Sequence, residues 1–408
     1  MRPSHFSGAA RFDAIKNSWI STMKLTVERS ELWRGIDTVL DAVASKPAQP
    51  LLSNLLIEAE GDRLTLSASD LDLSMRTKVS AAVEVPGRTT VSARTLAEIA
   101  REWPEAELSI VIEDGRLVLS GALGNGGGSG EGRYSLAVAP PEGFPEIPES
   151  VEGVSIRFES GSDLDSHLIR SMIDKTSFAV SRDETRPVLN GVLWRIGADG
   201  MAMVATDGSR LAEFRQSGAA FEDGGTAEVI LPPQLCSQLS KLLEGPEELT
   251  SATLGNSRVL FDLGDTQILS RLIEGPYVDY GQVVPKGNEN RLTVDVERLL
   301  PAMRRVSILA SSYTHQVRMS LSGDSVELTA SSQEVGGEAR EVLPAAYGAE
   351  ALEVAYNSQF FMDILRKLGS GEAVMELKDS ATAAIVRPAQ HSEGQELYYL
   401  LMPMRPSG

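Results

Sequence analysis

One pattern occurs three times along this chain, at intervals of 137 and 125 residues, and it constrains the fold more than any single residue does. Residues 54–59 (NLLIEA), a Gly61-Asp62 turn and residues 64–70 (LTLSASD) read as a β-hairpin, two apolar-alternating runs around a turn pair. The pattern returns as residues 191–196, a turn at 198–200 and residues 203–207. It returns again as residues 317–321, a Gly323-Asp324 turn and residues 326–332. Asp70, Asp207 and Ser332 fall at equivalent places. Such a period is too long for a solenoid unit and fits a whole small domain. Three copies of one domain point to a function that lies in overall shape.

A second echo supports the first. Short strands at Val91-Ser92-Ala93-Arg94, Leu231-Pro232-Pro233-Gln234 and Tyr356-Asn357-Ser358-Gln359 lead into runs with helical spacing at 95–103, 235–243 and 360–368. Another helix is expected before each hairpin, over 32–43, 164–180 and 296–310. In the last of these Leu299, Leu300, Met303, Val306 and Leu309 make one apolar side. Each third thus reads as helix, hairpin, strands, helix, strands, an α+β class with six helices in a majority of β-structure. Pro/Gly-rich stretches at 139–145 and 274–285 separate the thirds, giving expected domains at 23–147, 148–285 and 286–408. Met23 immediately precedes the first recognisable strand, so residues 1–22 read as a disordered extension or a wrongly chosen start.

Bulk composition allows this. The chain has 408 residues and 42% apolar content, enough for several cores, and no apolar run approaches a membrane span. The single cysteine, Cys236, reads as a small buried hydrophobe, compatible with a reducing cytoplasm. A net charge of −19 argues against general affinity for nucleic acid. That charge is unevenly spread: the six helical windows hold 11 basic and 12 acidic residues, so nearly all the excess lies outside them.

The sequence contains no convincing active site, and neither metal nor cofactor is expected. Its four histidines are scattered without zinc-ligand spacing, and no nucleophile elbow occurs. Asp70 and Asp72 could be called paired carboxylates, but the second copy has Asp207 with Ser209 two residues on, so the shared aspartate reads as a turn closer. The glycine-rich run 121–132 lacks the Lys-Ser/Thr pair of a phosphate cradle and reads as a hairpin tip. The apolar end, residues 397–405 (LYYLLMPMR), reads either as a last strand packing on its sheet or as an adaptable peptide-binding lip.

Leu189-Asn190-Gly191, Ala205-Thr206-Asp207-Gly208 with Arg210-Leu211, and the terminal Met402-Pro403-Met404-Arg405, set in a threefold repeat, resemble the bacterial DNA polymerase sliding clamp, the β subunit of the replicative polymerase. The resemblance runs from Met23 to Arg405. It implies a DNA-clamp fold acting without catalysis: a head-to-tail homodimeric ring with helices lining the hole and antiparallel sheets outside, threaded by double-stranded DNA. By resemblance and helix position, the DNA-facing candidates are Arg34, Lys46, Arg94, Arg101, Arg170, Lys175, Lys241, Arg298, Arg304, Arg305, Arg366 and Lys367. The family's partner groove, where polymerase III, clamp loader and repair proteins insert a short Leu/Phe-containing peptide, carries over to Leu189, Thr206, Gly208, Arg210, Leu211, Val283, Leu400, Leu401, Met402, Pro403, Met404 and Arg405. Ring closure would bring Ile308 and Leu309 against Tyr134 and Leu136 of a second copy.

The chain departs from the family at several positions. Ser209 stands where many relatives have histidine, Val278 and Gln282 where proline and arginine are common, and Pro187 where an aromatic residue lies near the DNA side. The alternative reading is a clamp-fold scaffold that binds protein without encircling DNA.

Overall fold

The computed structural model describes residues 22–47, 49–104, 106–124, 130–162, 164–218, 226–333 and 336–405. The expected extension at 1–22 lies, apart from Thr22, outside the described residues, as do the middle of the 121–132 run and residues 406–408. The chain divides into two compact units, one holding residues up to 153 together with 244–271, the other 154–243 with 272 onward.

Six α-helices occur among the described residues: α1 (Arg29–Leu40), α2 (Ala93–Glu102), α3 (Ser166–Thr176), α4 (Pro233–Leu242), α5 (Val296–Val306) and α6 (Ser358–Leu368). They pack in pairs, α1 with α2, α3 with α4 and α5 with α6. Local chemistry explains four of their starts. The Asp165 carboxylate accepts the Leu168 N–H at 2.8 Å, Asp295 accepts that of Arg298 at 3.1 Å, and Asn357 accepts those of Gln359 and Phe360. α4 instead begins on Pro233, where the missing N–H costs nothing. α1 lies so close to its sheet that a Cβ on Gly35 would meet the Leu66 and Val79 side chains at 2.8 Å and have to displace them.

The three hairpins form as read: Asn54–Glu60 with Arg63–Ser69, Val192–Gly197 with Gly200–Thr206, and Gln316–Ser322 with Ser325–Ser332, all antiparallel. The equivalence of Asp70 and Asp207 extends to individual hydrogen bonds. Asp70 Oδ1 accepts the N–H groups of Asp72 and Leu73 at 3.0 and 2.7 Å; Asp207 Oδ1 accepts those of Ser209 and Arg210 at 2.8 and 3.0 Å. One residue earlier, Ser69 Oγ accepts from Leu71 N–H and Thr206 Oγ1 from Gly208 N–H, each at 3.1 Å. The turn demands a positive φ at its next position, 83° at Leu71 and 92° at Gly208. Both aspartates therefore close turns.

Each hairpin is extended by a third strand, and in the first two repeats that strand joins one repeat to another. In the first unit Leu73–Ser80 pairs with Thr266–Arg271, so the last strands of the second repeat continue the first repeat's sheet. In the second unit Arg210–Ser217 pairs with the final strand Gln395–Leu401, giving a nine-stranded sheet. A separate four-stranded sheet runs in the order Gly337–Pro344, Ser325–Ser332, Gln316–Ser322, Leu352–Asn357.

Candidate functional site

The junction of Arg210–Ser217 with Gln395–Leu401 sets Arg210 opposite Leu401 and Leu211 opposite Leu400. Side chains alternate across a sheet, so these two pairs face opposite ways. Leu211 and Leu400 join Leu193, Val204, Ile230, Ile385, Tyr280 and Tyr398 in one buried cluster, covered by Val188, Ile273, Tyr277 and Val284. Beside this cluster opens a groove of about 460 Å³ lined by residues 281–286, 381–383 and Met402. Val283 and Met402 are the large exposed apolar residues of its lining, at 51% and 43%.

The sequence-derived groove residues therefore separate into several placements. Val283 and Met402 line the groove, while Leu211 and Leu400 lie in the buried cluster beside it. Leu189 and Leu401 are buried. The Thr206 hydroxyl is occupied in its turn, donating to the Arg210 carbonyl at 2.7 Å, and Gly208 forms the corner of that turn. Pro403 and Met404 are half-buried, and the Met404 N–H donates to the Ala355 carbonyl at 2.8 Å. Arg405 is exposed, and its carbonyl accepts from Gln316.

The Arg210 guanidinium turns to the helix side. It meets Asp207 at 3.1 Å and Asp363 of α6 at 2.6 Å, donates to the Phe178 carbonyl at 3.0 Å, and lies over the Phe178 and Phe360 rings. Pro187 opens the short 3-10 turn Pro187–Asn190, and Ser209, Val278 and Gln282 are all exposed. Sequence reading missed Val284, Pro285, Lys286 and the 381–383 wall. The one local signal for that wall is Asp379, whose carboxylate accepts the N–H groups of Ala381 and Thr382 and shapes the turn.

One feature beneath the neighbouring cluster was unforeseen. Glu213 is fully buried between Val204 and Tyr398, its partners on the neighbouring strands. Its carboxylate accepts from Arg215 at 2.5 Å, from the Tyr280 hydroxyl at 3.1 Å and from the Tyr398 hydroxyl. Burial, reinforced by this carboxylate, holds both phenols above the ordinary tyrosine range, so they stay protonated as donors. Burial works against the Arg215 charge, yet its bond and attraction to Glu213 prevail and raise its pKa.

The basic candidates are differently disposed. Lys46, Arg94, Arg298 and Arg304 are exposed and form no ion pair among the described residues. Arg34 meets Glu31 at 2.8 Å, Arg101 meets Glu102 at 3.1 Å, Arg170 meets Asp174 at 3.7 Å, Arg305 meets Glu341 at 2.7 Å and Arg366 meets Asp363 at 2.6 Å. Lys241 is exposed and engaged in a polar interaction, and Lys367 is half-buried. Lys175 lies half-buried with its ammonium 5.2 Å from the centre of the Phe214 ring, and burial lowers its pKa.

Tyr134 is 45% exposed and stacks edge-on against Trp103, Leu136 is half-buried, Ile308 is 71% exposed and Leu309 lies beside Gly337. Among the described residues no group of three or more His, Cys, Asp or Glu could hold a metal ion, and no helix is long and apolar enough to cross a membrane.

A threefold α+β module joined strand to strand, with a groove at one junction, defines a three-domain clamp fold. Family models for the DNA polymerase III beta subunit match residues 23–148 (N-terminal domain), 163–279 (central domain) and 281–405 (C-terminal domain). The chain belongs to that family, the sliding clamps, and is a processivity factor rather than an enzyme. It is 32% identical to the beta sliding clamp of Caulobacter vibrioides, over 94% of this chain and 100% of the relative. It is 30% identical to that of Synechocystis sp., over 94% of this chain and 99% of the relative. The crystal structure of a Pseudomonas aeruginosa sliding clamp bound to griselimycin superposes with a TM-score of 0.85 at 28% identity, covering 94% and 100% of the two chains.

Proposed function

We propose that two copies of this chain close head to tail into a ring around duplex DNA in the cytoplasm, tethering polymerase III, clamp loader and repair proteins by short peptides held in the groove. The observation that carries this reading is a pair of open sheet edges in equivalent places. The third strand of the first repeat is covered by the last strand of the second, and the third strand of the second repeat by the last strand of the third. The corresponding strand of the third repeat, Gly337–Pro344, ends its sheet. Among the described residues the first repeat's last strand, Glu131–Ala139, pairs on this side with Thr90 and Val91 through its final two residues, leaving 131–137 unpaired there.

Extending the rule of the first two junctions sets 337–344 of one copy on 131–137 of the other. Open edges invite association, and closing both in a two-fold ring removes them. Tyr134, Leu136, Ile308 and Leu309 are the apolar residues we assign to that contact. The domain boundaries we favour remain those between the thirds, at about 147 and 285.

Phosphates passing the helices would meet Lys46, Arg94, Arg298 and Arg304 first, because these carry no competing carboxylate. The near balance of charge on the helices avoids repelling DNA, while the acidic remainder discourages binding elsewhere. Contacts of this kind are non-specific, as sliding requires. In the groove, two or three apolar anchors at about 1.5–3 kcal/mol each, less ordering costs, give roughly micromolar affinity. Two grooves per ring add avidity.

The test is retention on nicked circular DNA after loading, followed by linearisation. A ring stays on the circle and is lost from the linear form. Equal retention on both would mean ordinary DNA binding without encirclement, and retention on neither would favour a protein-binding scaffold.

A further inference from the structure

Glu213 is an unusual residue to find at this position. Its neighbours across the sheet, Ile230, Leu193, Val204 and Tyr398, form a row that is otherwise apolar or aromatic. A carboxylate in such a row is costly unless its oxygens are satisfied. Three donors satisfy it, and they come from different places. Arg215 lies on the same strand and Tyr398 on the neighbouring one, so both belong to the sheet itself. Tyr280 does not. It is the first residue of the 3-10 turn Tyr280–Val283, which continues into the groove wall at 281–286. Its hydroxyl donates to Glu213 at 3.1 Å and accepts from Arg195 at 3.2 Å. Among the described residues the turn's remaining side-chain hydrogen bond, Gln282 to Asp279 at 2.8 Å, is internal to the loop, so the tie to the sheet by hydrogen bonding runs through Tyr280.

We propose that Glu213 is a positioning residue for the peptide groove: through the Tyr280 hydroxyl it fixes the 281–286 wall to the sheet and thereby sets peptide affinity. This rests on the reading of the groove as the partner site and adds what holds its wall in register. Val283, at the end of the anchored turn, is the wall residue whose placement matters most, since it presents its side chain to the open groove. A wall fixed before binding spares the peptide the cost of ordering it.

The test compares full-length variants binding a fluorescein-labelled short peptide carrying a Leu-Phe pair, with hydrogen exchange at 281–286 and thermal midpoints recorded alongside. Tyr280→Phe removes the tie, and Glu213→Leu removes the hub while restoring an apolar row. Tyr398→Phe removes a hydrogen bond to the same carboxylate without touching the wall. Met402→Asp reports on the groove itself.

We expect Tyr280→Phe and Glu213→Leu to weaken peptide binding by about three- to tenfold and to speed exchange at 281–286, with the Glu213→Leu midpoint lowered because two buried hydroxyls lose their acceptor. Tyr398→Phe should bind within about twofold of the parent. Parent-like affinity for Tyr280→Phe, with Met402→Asp abolishing binding, overturns the inference and leaves the groove reading standing. Undiminished binding by Met402→Asp overturns both.

Discussion

Arg210 carries the groove motif, but its side chain is spent on the other face of the sheet. It belongs to the Thr206-Asp207-Gly208 turn, yet its guanidinium leaves the groove for the opposite face. There its side chain is 10% exposed between two aspartates and two aromatic rings. A charge buried to that degree is stabilising only while every partner remains. Arg210→Ala should therefore cost about 2–4 kcal/mol, read as a lowered thermal midpoint, because Asp207 and Asp363 lose their shared cation. Arg210→Lys should recover less than half, since an ammonium cannot serve both carboxylates and the Phe178 carbonyl in one plane. An Arg210→Lys midpoint equal to the parent's would show that the fork geometry is irrelevant. The repeated turn was legible at this scale because an aspartate before a positive-φ residue imposes the same local hydrogen bonds wherever it falls.

Among the elements, the two open edges are the most consequential. Gly337–Pro344 alternates half-buried and exposed residues along its length, so one side chain in two is available to a second copy. The 3-10 turn Ser307–Leu309 ends α5 beside this edge, with Leu309 against Gly337. Replacing Ile308 and Leu309 together by alanine should weaken each interface by about 2–4 kcal/mol and yield monomers at micromolar concentration in sedimentation. Circular dichroism should stay unchanged, because Ile308 is already 71% exposed in the single chain. A double variant that still sediments as a dimer would dissociate these residues from ring closure.

At the scale of the whole molecule, encirclement predicts an unusual salt response. A protein held by several phosphate contacts loses roughly a thousandfold or more in affinity between 50 and 200 mM salt. A closed ring is held by topology, so its occupancy of a nicked circle, once loaded, should change by less than about tenfold over that range. A steep loss from the circle would mean that charge, not closure, retains it. The net charge of −19 makes the contrast sharper, since electrostatic attachment is disfavoured from the outset.

By itself the sequence determined the modules. Hairpins, helix starts and the Asp70 and Asp207 turns follow from alternation, caps and positive-φ positions within a few residues of one another, interactions that local chemistry specifies. Tertiary structure alone decided which strand pairs with which repeat. That pairing sends Arg210 and Leu401 to one face and Leu211 and Leu400 to the other, brings residues 381–383 against 281–286, and buries Glu213. In the sequence Glu213 sits among Leu211 and Arg215 as an ordinary alternating polar position. Its burial depends on Tyr280 from a loop and Tyr398 from another repeat, far along the chain. Solvation and long-range packing are properties of the assembled sheet, so no local pattern could have carried them.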